Sequence, residues 1–453
     1  MKTRKIERDL TTGNITGTML AFAVPMILGN LLQQAYNIAD TLIVGRFLGP
    51  NALAAVGSAY TLMTFLTSIL LGLCMGSGTV FSIYYGAKKE EELKNSIFVS
   101  FCMIAALTVL LNIIVFAGID PIMHLLQVPE EIYGMLREYL KIIFIGISFT
   151  FLYNFFAFLL RSVGNSVVPL VFLGISAGMN IVLDLVFVIV LQRGVAGAAE
   201  ATVIAQGVSA GAMILYTVRT MPGLLPGKLH FRMSRERVRE IARFSVLTCV
   251  QQSVMNFGIL MIQGLVNSFG TVVMAAFAAA VKIDSFAYMP VQDFGNAFSI
   301  FISQNYGAKK YDRIRRGVKS AVITSFAFSV TVTVVVCLFA RQLMMIFVEA
   351  KETEILAVGV QYLRVEGAFY CGIGCLFLLY GYYRAVEMPG MSVVLTVISL
   401  GTRVALAYAL APIPAIGVLG IWWAVPIGWF LADLMGGAYY YWLLKKRSHD
   451  VRN

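Results

Sequence analysis

The chain has 453 residues, of which 59% are hydrophobic and only 13% charged, and its mean hydropathy is +0.80. A soluble globular domain carries about 25% charged residues, so half that share excludes a water-solvated fold and places most of the chain in a bilayer. The formal charge of +11 does not indicate nucleic acid, because the basic residues fall in short clusters between apolar runs, where Lys and Arg mark the cytoplasmic side of a membrane and meet anionic lipid headgroups.

The first fifteen residues are polar and mixed in charge, with no short apolar stretch before a small-residue cleavage site. The first spanning helix is therefore expected to act as an uncleaved signal. Twelve apolar segments are long enough to span, at about twenty residues each. They are predicted at 17–40, 53–82, 96–118, 138–160, 168–191, 196–217, 242–266, 273–302, 318–340, 357–383, 391–411 and 417–443. The runs are continuous rather than alternating, which excludes a β-barrel. The fold class is an all-α membrane protein of twelve transmembrane helices in two pseudo-symmetric six-helix bundles.

Basic clusters at Lys2, Arg4, Lys5 and Arg8, after spans 2, 6 and 8, and at Lys445, Lys446 and Arg447 put both termini in the cytoplasm. The expected organisation is an N-terminal lobe over 1–218, a cytoplasmic linker over 219–241 and a C-terminal lobe over 242–453. An internal repeat relates the lobes. Tyr85-Gly86-Ala87-Lys88-Lys89 recurs as Tyr306-Gly307-Ala308-Lys309-Lys310, and the same offset of 221 pairs Gly49 with Gly270 and Ser82 with Ser303. At an offset of 223, Arg161 pairs with Arg384, and Gly194-Val195-x-Gly197 with Gly417-Val418-x-Gly420. Six spans per repeat bring both lobes in from the same side, a transporter architecture.

Polar groups inside the spans carry the chemistry, because a mid-span charge costs roughly 2.5–3.5 kcal/mol on insertion scales. Asn30, Gln33, Asn37 and Asp40 form one stripe on span 1, downstream of Pro25, which removes a backbone donor and allows a kink. Asn180 and Asp184 share a face of span 5, and span 6 adds Thr202. If these spans converge, Asp40, Asn180, Asp184 and Thr202 offer hard oxygen donors suited to Na⁺, or two carboxylates that share a proton. The second lobe does not copy the set: at the offset of 223 Asn180 meets Arg403, Asp184 meets Ala407 and Thr202 meets Val425. Asn37, Gln252, Asn256, Asp284, Asp293 and Glu366 are candidates for a substrate cavity. Asp284 and Glu366 have Lys282 and Arg364 nearby in sequence, so internal ion pairs are an equal reading.

Enzyme signatures are missing from the sequence. There is no Gly-x-x-x-x-Gly-Lys-[Ser/Thr] loop for ATP, and His124, His230 and His449 are scattered outside the spans. All six cysteines lie in apolar runs, where they read as small core residues. The 31 Phe, 20 Tyr and 21 Met allow a cavity that accepts varied shapes and cations.

The ordered set of Val24-Pro25 through Asp40, Asn180-x-x-x-Asp184, the Gly-Ala pairs at 86–87 and 307–308, Arg161-Ser162-x-Gly164 and Gly417-x-x-Gly420 resembles the multidrug and toxic compound extrusion (MATE) family. The likeness runs from about residue 15 to 443. It implies two six-helix bundles working by alternating access, and exchange of Na⁺ or H⁺ for organic cations and amphipathic drugs. It also implies a cation site at Asp40, Asn180, Asp184 and Thr202, and a bending role for Pro25. Other members use acids in spans 7 and 10; here span 7 has Gln251 and Gln252 instead. The expected protein is a monomeric efflux antiporter of a bacterial or archaeal inner membrane, with no cofactor beyond the coupling ion and no nucleic-acid partner. A flippase for a lipid-linked precursor is the alternative, and a non-transporting scaffold or receptor a more distant one.

Overall fold

In hydrocarbon no water is present to satisfy backbone N–H and C=O groups, so the chain must satisfy them within each segment. The computed structural model, which describes residues 8–125 and 128–450, does so with helices, and it contains no strand among those residues. The helices are α1 (Ile15–Leu48), α2 (Pro50–Gly86), α3 (Glu90–Leu125), α4 (Glu130–Ser162), α5 (Val167–Asp184), α6 (Gly194–Thr220), α7 (Arg235–Asn267), α8 (Thr271–Gly307), α9 (Tyr311–Met344), α10 (Thr353–Gly367), α11 (Tyr370–Ala385), α12 (Pro389–Leu410) and α13 (Val418–Asp450). Eleven are long and apolar enough to cross a membrane, and α10 with α11 makes a twelfth span bent by 51°. Apolar side chains such as Leu42, Ile113, Ile145, Leu338 and Phe430 are exposed on the helices, as lipid-facing positions require. Lys2, Arg4 and Lys5 lie outside the described residues.

The described residues divide into two compact units. Unit 1 holds residues 8–13, Ala21–Cys249 and Ser303–Lys309; unit 2 holds Asn14–Leu20, Val250–Ile302 and the chain from Lys310 onward. In unit 1, α4 packs against α2, α3 and α6, and α5 against α6. Its core includes Phe81, Phe151 and Phe155, with Phe81 and Phe155 edge to face at 6.1 Å. Arg137 of α4 grips Asp120 of α3 with two bonds of 2.6 and 2.9 Å. The segment between α6 and α7 is tied to the start of α3: Asn95 donates to the carbonyls of His230 and Arg232 at 2.9 and 2.8 Å, and His230 meets Glu91 at 2.7 Å. Unit 2 centres on Trp422 of α13, which is fully buried. Its ring stacks on Phe277 at 5.6 Å and meets Tyr362 edge-on at 4.9 Å.

Two breaks in the helical ladder were not visible in the sequence. After Asp184 the α5 helix continues as a six-residue π-helical stretch, Leu185–Val190, a register change that recurs at functional sites. The predicted span at 357–383 is interrupted between Gly367 and Tyr370. The carbonyl of Gly367, freed at that break, accepts a 2.6 Å bond from the Thr333 hydroxyl of α9, which satisfies it without water.

The repeated Tyr-Gly-Ala-Lys-Lys motif has a packing cause. Gly86 lies directly on the carbonyl of Gln304, and Gly307 on the carbonyl of Ile83, leaving no room for a Cβ at either. The two helix ends thus touch backbone to backbone in a reciprocal pair within unit 1. Each then ends alike, with Lys88 and Lys309 both at φ 56°. Gln304 donates at 2.7 Å to the carbonyl of Ser162, and Asn305 at 3.1 Å to that of Leu10, which extends the contact to α4 and the chain ahead of α1. Gly307→Ala or Gly86→Ala is expected to destabilise the protein by about 1–3 kcal/mol through overpacking, read as a lower melting temperature in detergent. Gly264→Ala, where a Cβ meets nothing within 4 Å, should leave that temperature unchanged or raise it.

Candidate functional site

Asp40 belongs to α1, Asn180 and Asp184 to α5, and Thr202 to α6, and all four lie in unit 1. The helical spacing of Asn180 and Asp184 puts both on the buried face of α5, at 3% and 0% exposure. The packing of α5 on α6 then brings Thr202 opposite, and the Asn180 amide lies 3.3 Å from the Thr202 hydroxyl. That hydroxyl also bonds its own helix at the Ala198 carbonyl, 3.1 Å away. Turned so that every neighbour is matched, the Asn180 amide donates to Asp184 Oδ2 and accepts from the backbone N–H and hydroxyl of Thr202, each at 3.3 Å. The Asp40 carboxyl comes within hydrogen-bonding reach of Asp184.

Two carboxylates this close in a low-dielectric interior repel strongly unless a positive charge sits between them. One oxygen on each acid, Oδ1 of Asp40 and of Asp184, is buried with no protein hydrogen-bond donor. The cluster therefore pairs two acids with an amide and a hydroxyl and leaves two oxygens open. Those donors fit Na⁺, which takes hard oxygen ligands, and equally fit a shared proton. Two tyrosines join them. Tyr36, one turn before Asp40 on α1, and Tyr139 of α4 both lie within electrostatic range of the acids. The i, i+4 spacing of Tyr36 and Asp40 was available in the sequence; nothing there pointed to Tyr139.

Pro25 is enclosed in α1, fifteen residues before Asp40, or about 22 Å along the axis. Asn37 also lies in unit 1, and its carbonyl accepts from the Thr41 hydroxyl at 2.8 Å. Gln252, Asn256, Asp284, Asp293 and Glu366 belong to unit 2. Gln252 and Asn256 are half-buried on α7, whereas the three acids are buried.

Among these five, Asp284 and Glu366 come together. Tyr370 of α11 donates to Asp284 Oδ1 at 2.7 Å, and Tyr362 of α10 to Glu366 Oε2 at 2.9 Å. The charge acting on both acids is Arg403 of α12. Lys282 and Arg364, their neighbours in sequence, are exposed, so the ion pairs suggested by sequence proximity are not the ones formed. Lys282 instead sits 5.8 Å above the Phe347 ring. Asp293 is nine residues further along α8, about 13 Å from Asp284 by helical rise.

The MatE family model matches residues 25–186 and 247–409. Probable multidrug resistance protein YpnP of Bacillus subtilis is 30% identical over 86% of this chain and 87% of its own length. Probable multidrug resistance protein NorM of Thermotoga maritima is 24% identical over 89% of this chain and 87% of its own. Among solved structures, a multidrug resistance MATE family transporter of the MOP superfamily, in an outward-facing conformation, matches with a TM-score of 0.90. That match has 23% identity and covers 96% of this chain and 97% of the other. A MATE structure in a bent conformation matches equally well, with a TM-score of 0.90 and 24% identity over 97% and 98% of the two chains. With the family model covering most of its length, this multi-pass membrane chain belongs to the MatE family.

Proposed function

We propose that the chain is a secondary active exporter that exchanges Na⁺ or H⁺ for organic cations or amphipathic drugs by alternating access, with Asp40, Asn180, Asp184 and Thr202 as its coupling-ion site. The observation that carries this reading is the convergence of two interior carboxyls, an amide and a hydroxyl from three helices, with one oxygen on each acid left open. The names of the relatives, multidrug resistance and multidrug export proteins, supply the substrate class. The basic clusters support a reading with both termini on the cytoplasmic face of a bacterial or archaeal inner membrane, in which the protein works as a monomer.

Either ion suits a different setting of the same amide. With its N–H on Asp184 and its oxygen on Thr202, Asn180 supports a proton held between Asp40 and Asp184. With its oxygen turned inward beside the Thr202 hydroxyl, it adds to the carboxylate oxygens that would surround Na⁺. In both cases binding neutralises charge at Asp40, and α1 responds. Pro25 has no N–H for the Ala21 carbonyl, so α1 is weakest one turn ahead of Pro25. A potential of 100 mV supplies about 2.3 kcal/mol per charge moved, enough to bias two states that differ by a few kcal/mol.

Ethidium efflux from cells, with Na⁺ and the pH gradient varied independently, tests the reading. Asp40→Asn and Asp184→Asn are expected to lower efflux at least tenfold while expression and melting temperature stay near wild type. Wild-type efflux by both would remove the site from the mechanism. Thr202→Ala separates the ions. A Na⁺ site should lose about tenfold in Na⁺ affinity when that oxygen is deleted, whereas a proton site should keep its pH dependence. Pro25→Ala restores the missing backbone bond and is expected to slow efflux several-fold while cation binding persists; unchanged efflux would show that α1 need not bend there.

A further inference from the structure

The helix that follows each copy of the Tyr-Gly-Ala-Lys-Lys motif presents the same surface with different chemistry. α3 begins at Glu90 and α9 at Tyr311, positions that the offset of 221 makes equivalent. On α3 that surface is covered by the segment ahead of α7. Asn95 donates to the carbonyls of His230 and Arg232, Glu91 meets His230, and the Phe98 and Phe231 rings lie 4.8 Å apart. The residues of α9 equivalent to Glu91, Asn95 and Phe98 are Asp312, Arg316 and Lys319. All three are exposed, as is Arg315, and among the described residues none of these four side chains has a hydrogen bond, ion pair or ring contact. The face continues beyond the charges. Arg315, Lys319, Phe326 and Val330 are separated by four, seven and four residues, and Arg316 and Ile323, seven apart, flank them, so all six share one side of α9. Ile323, Phe326 and Val330 are exposed, whereas Ile314, Gly317, Ala321 and Ser325 on the opposite side are buried. α9 is also the least enclosed of the eleven spans. Val330 stands about 16 Å beyond Lys319 along the axis, close to the hydrocarbon depth of one leaflet.

We propose that this face of α9 binds one anionic phospholipid, with its phosphate held by Arg315, Arg316 and Lys319 and its acyl chains lying along Ile323, Phe326 and Val330. The inference needs α9 to span a bilayer and is independent of the ion site in unit 1. Three basic groups against one acid, Asp312, leave the polar part of the face positive, which selects a negative headgroup. The planar N–H pairs of arginine match phosphate oxygens. The apolar continuation separates a lipid from a soluble anion, because only a lipid covers both parts of the face. Charge that merely sets topology has no need of such continuity with a lipid-facing stripe. On α3 the first turn carries Glu90, Glu91 and Glu92 instead, which repel an anion, and the chain itself supplies the cover.

Native mass spectrometry of the purified full-length protein, titrated with phosphatidylglycerol and with phosphatidylcholine, tests the site. Wild type is expected to hold one phosphatidylglycerol at least tenfold more tightly than phosphatidylcholine. Arg315→Gln combined with Arg316→Gln and Lys319→Gln should abolish that preference. Phe326→Ala should weaken both lipids several-fold, and Asp312→Asn should tighten the anionic one several-fold. Lys445→Gln combined with Lys446→Gln, at the end of α13, should keep the wild-type preference. Equal binding of the two lipids by wild type, or a preference that survives the triple variant, overturns the proposal. So does an equal loss in the α13 variant, which would mean that positive charge anywhere suffices. If inorganic phosphate binds wild type as tightly as phosphatidylglycerol does, the occupant is a free anion and the lipid assignment falls. If the triple variant fails to accumulate, Lys319→Gln is read in its place: a loss of about fivefold supports the site, and an unchanged affinity overturns it.

Discussion

A carboxylate in a hydrocarbon interior is the constraint on which the rest of this structure turns. Its desolvation is expensive, and mutual repulsion raises the expense when a second acid is near. Each of the two acid pairs is accordingly enclosed by groups whose only common property is that they answer negative charge. Around Asp40 and Asp184 these are an amide and a hydroxyl, with Tyr36 and Tyr139 within electrostatic range. Around Asp284 and Glu366 they are two phenol donors and a guanidinium. The apolar packing serves these enclosures. Trp422 fixes Tyr362 edge-on, and Tyr362 in turn holds Glu366, so the largest buried ring of unit 2 positions its most deeply buried acid.

The same constraint explains why the repeat preserves some positions and not others. The Tyr-Gly-Ala-Lys-Lys motif survives in both halves because it meets a steric demand that is the same at each: a backbone carbonyl presses where a Cβ would stand. The acids obey no such demand. A pair of carboxyls can be balanced by several kinds of neighbour, so Asn180 and Arg403 can occupy equivalent places in the sequence while differing by a full charge.

What the sequence disclosed follows from what is local. Twelve apolar runs, the four-residue spacing of Asn180 and Asp184, and the position of Pro25 all depend on residues close together in the chain, and each could be read directly. The approach of Thr202 to Asn180 depends on α5 lying against α6, and the approach of Asp40 to Asp184 on the packing of α1. Neither is encoded in any one segment. Proximity in sequence even misled in unit 2, where Lys282 and Arg364 are next to the acids in the chain but point outward, and the compensating charge comes from Arg403, well over a hundred residues after Asp284. The π-helical stretch after Asp184 was hidden because Leu185–Val190 is uniformly apolar and hydropathy there carries no mark of register; the break after Gly367 was hidden because no proline or turn-forming pair marks it in the sequence.

The break after Gly367 has an electrical consequence. Because α10 ends there, Glu366 stands in the last turn of a helix, where the peptide dipoles sum to about half a negative charge. A carboxylate is least welcome at that pole. An uninterrupted span over the same residues would have placed Glu366 mid-helix, where the dipole is weak, and one positive neighbour would have had less to offset. By stopping the helix at Glu366, the fold deepens the negative potential at that point, and any cation there, fixed or mobile, is held by the backbone as well as by the side chains.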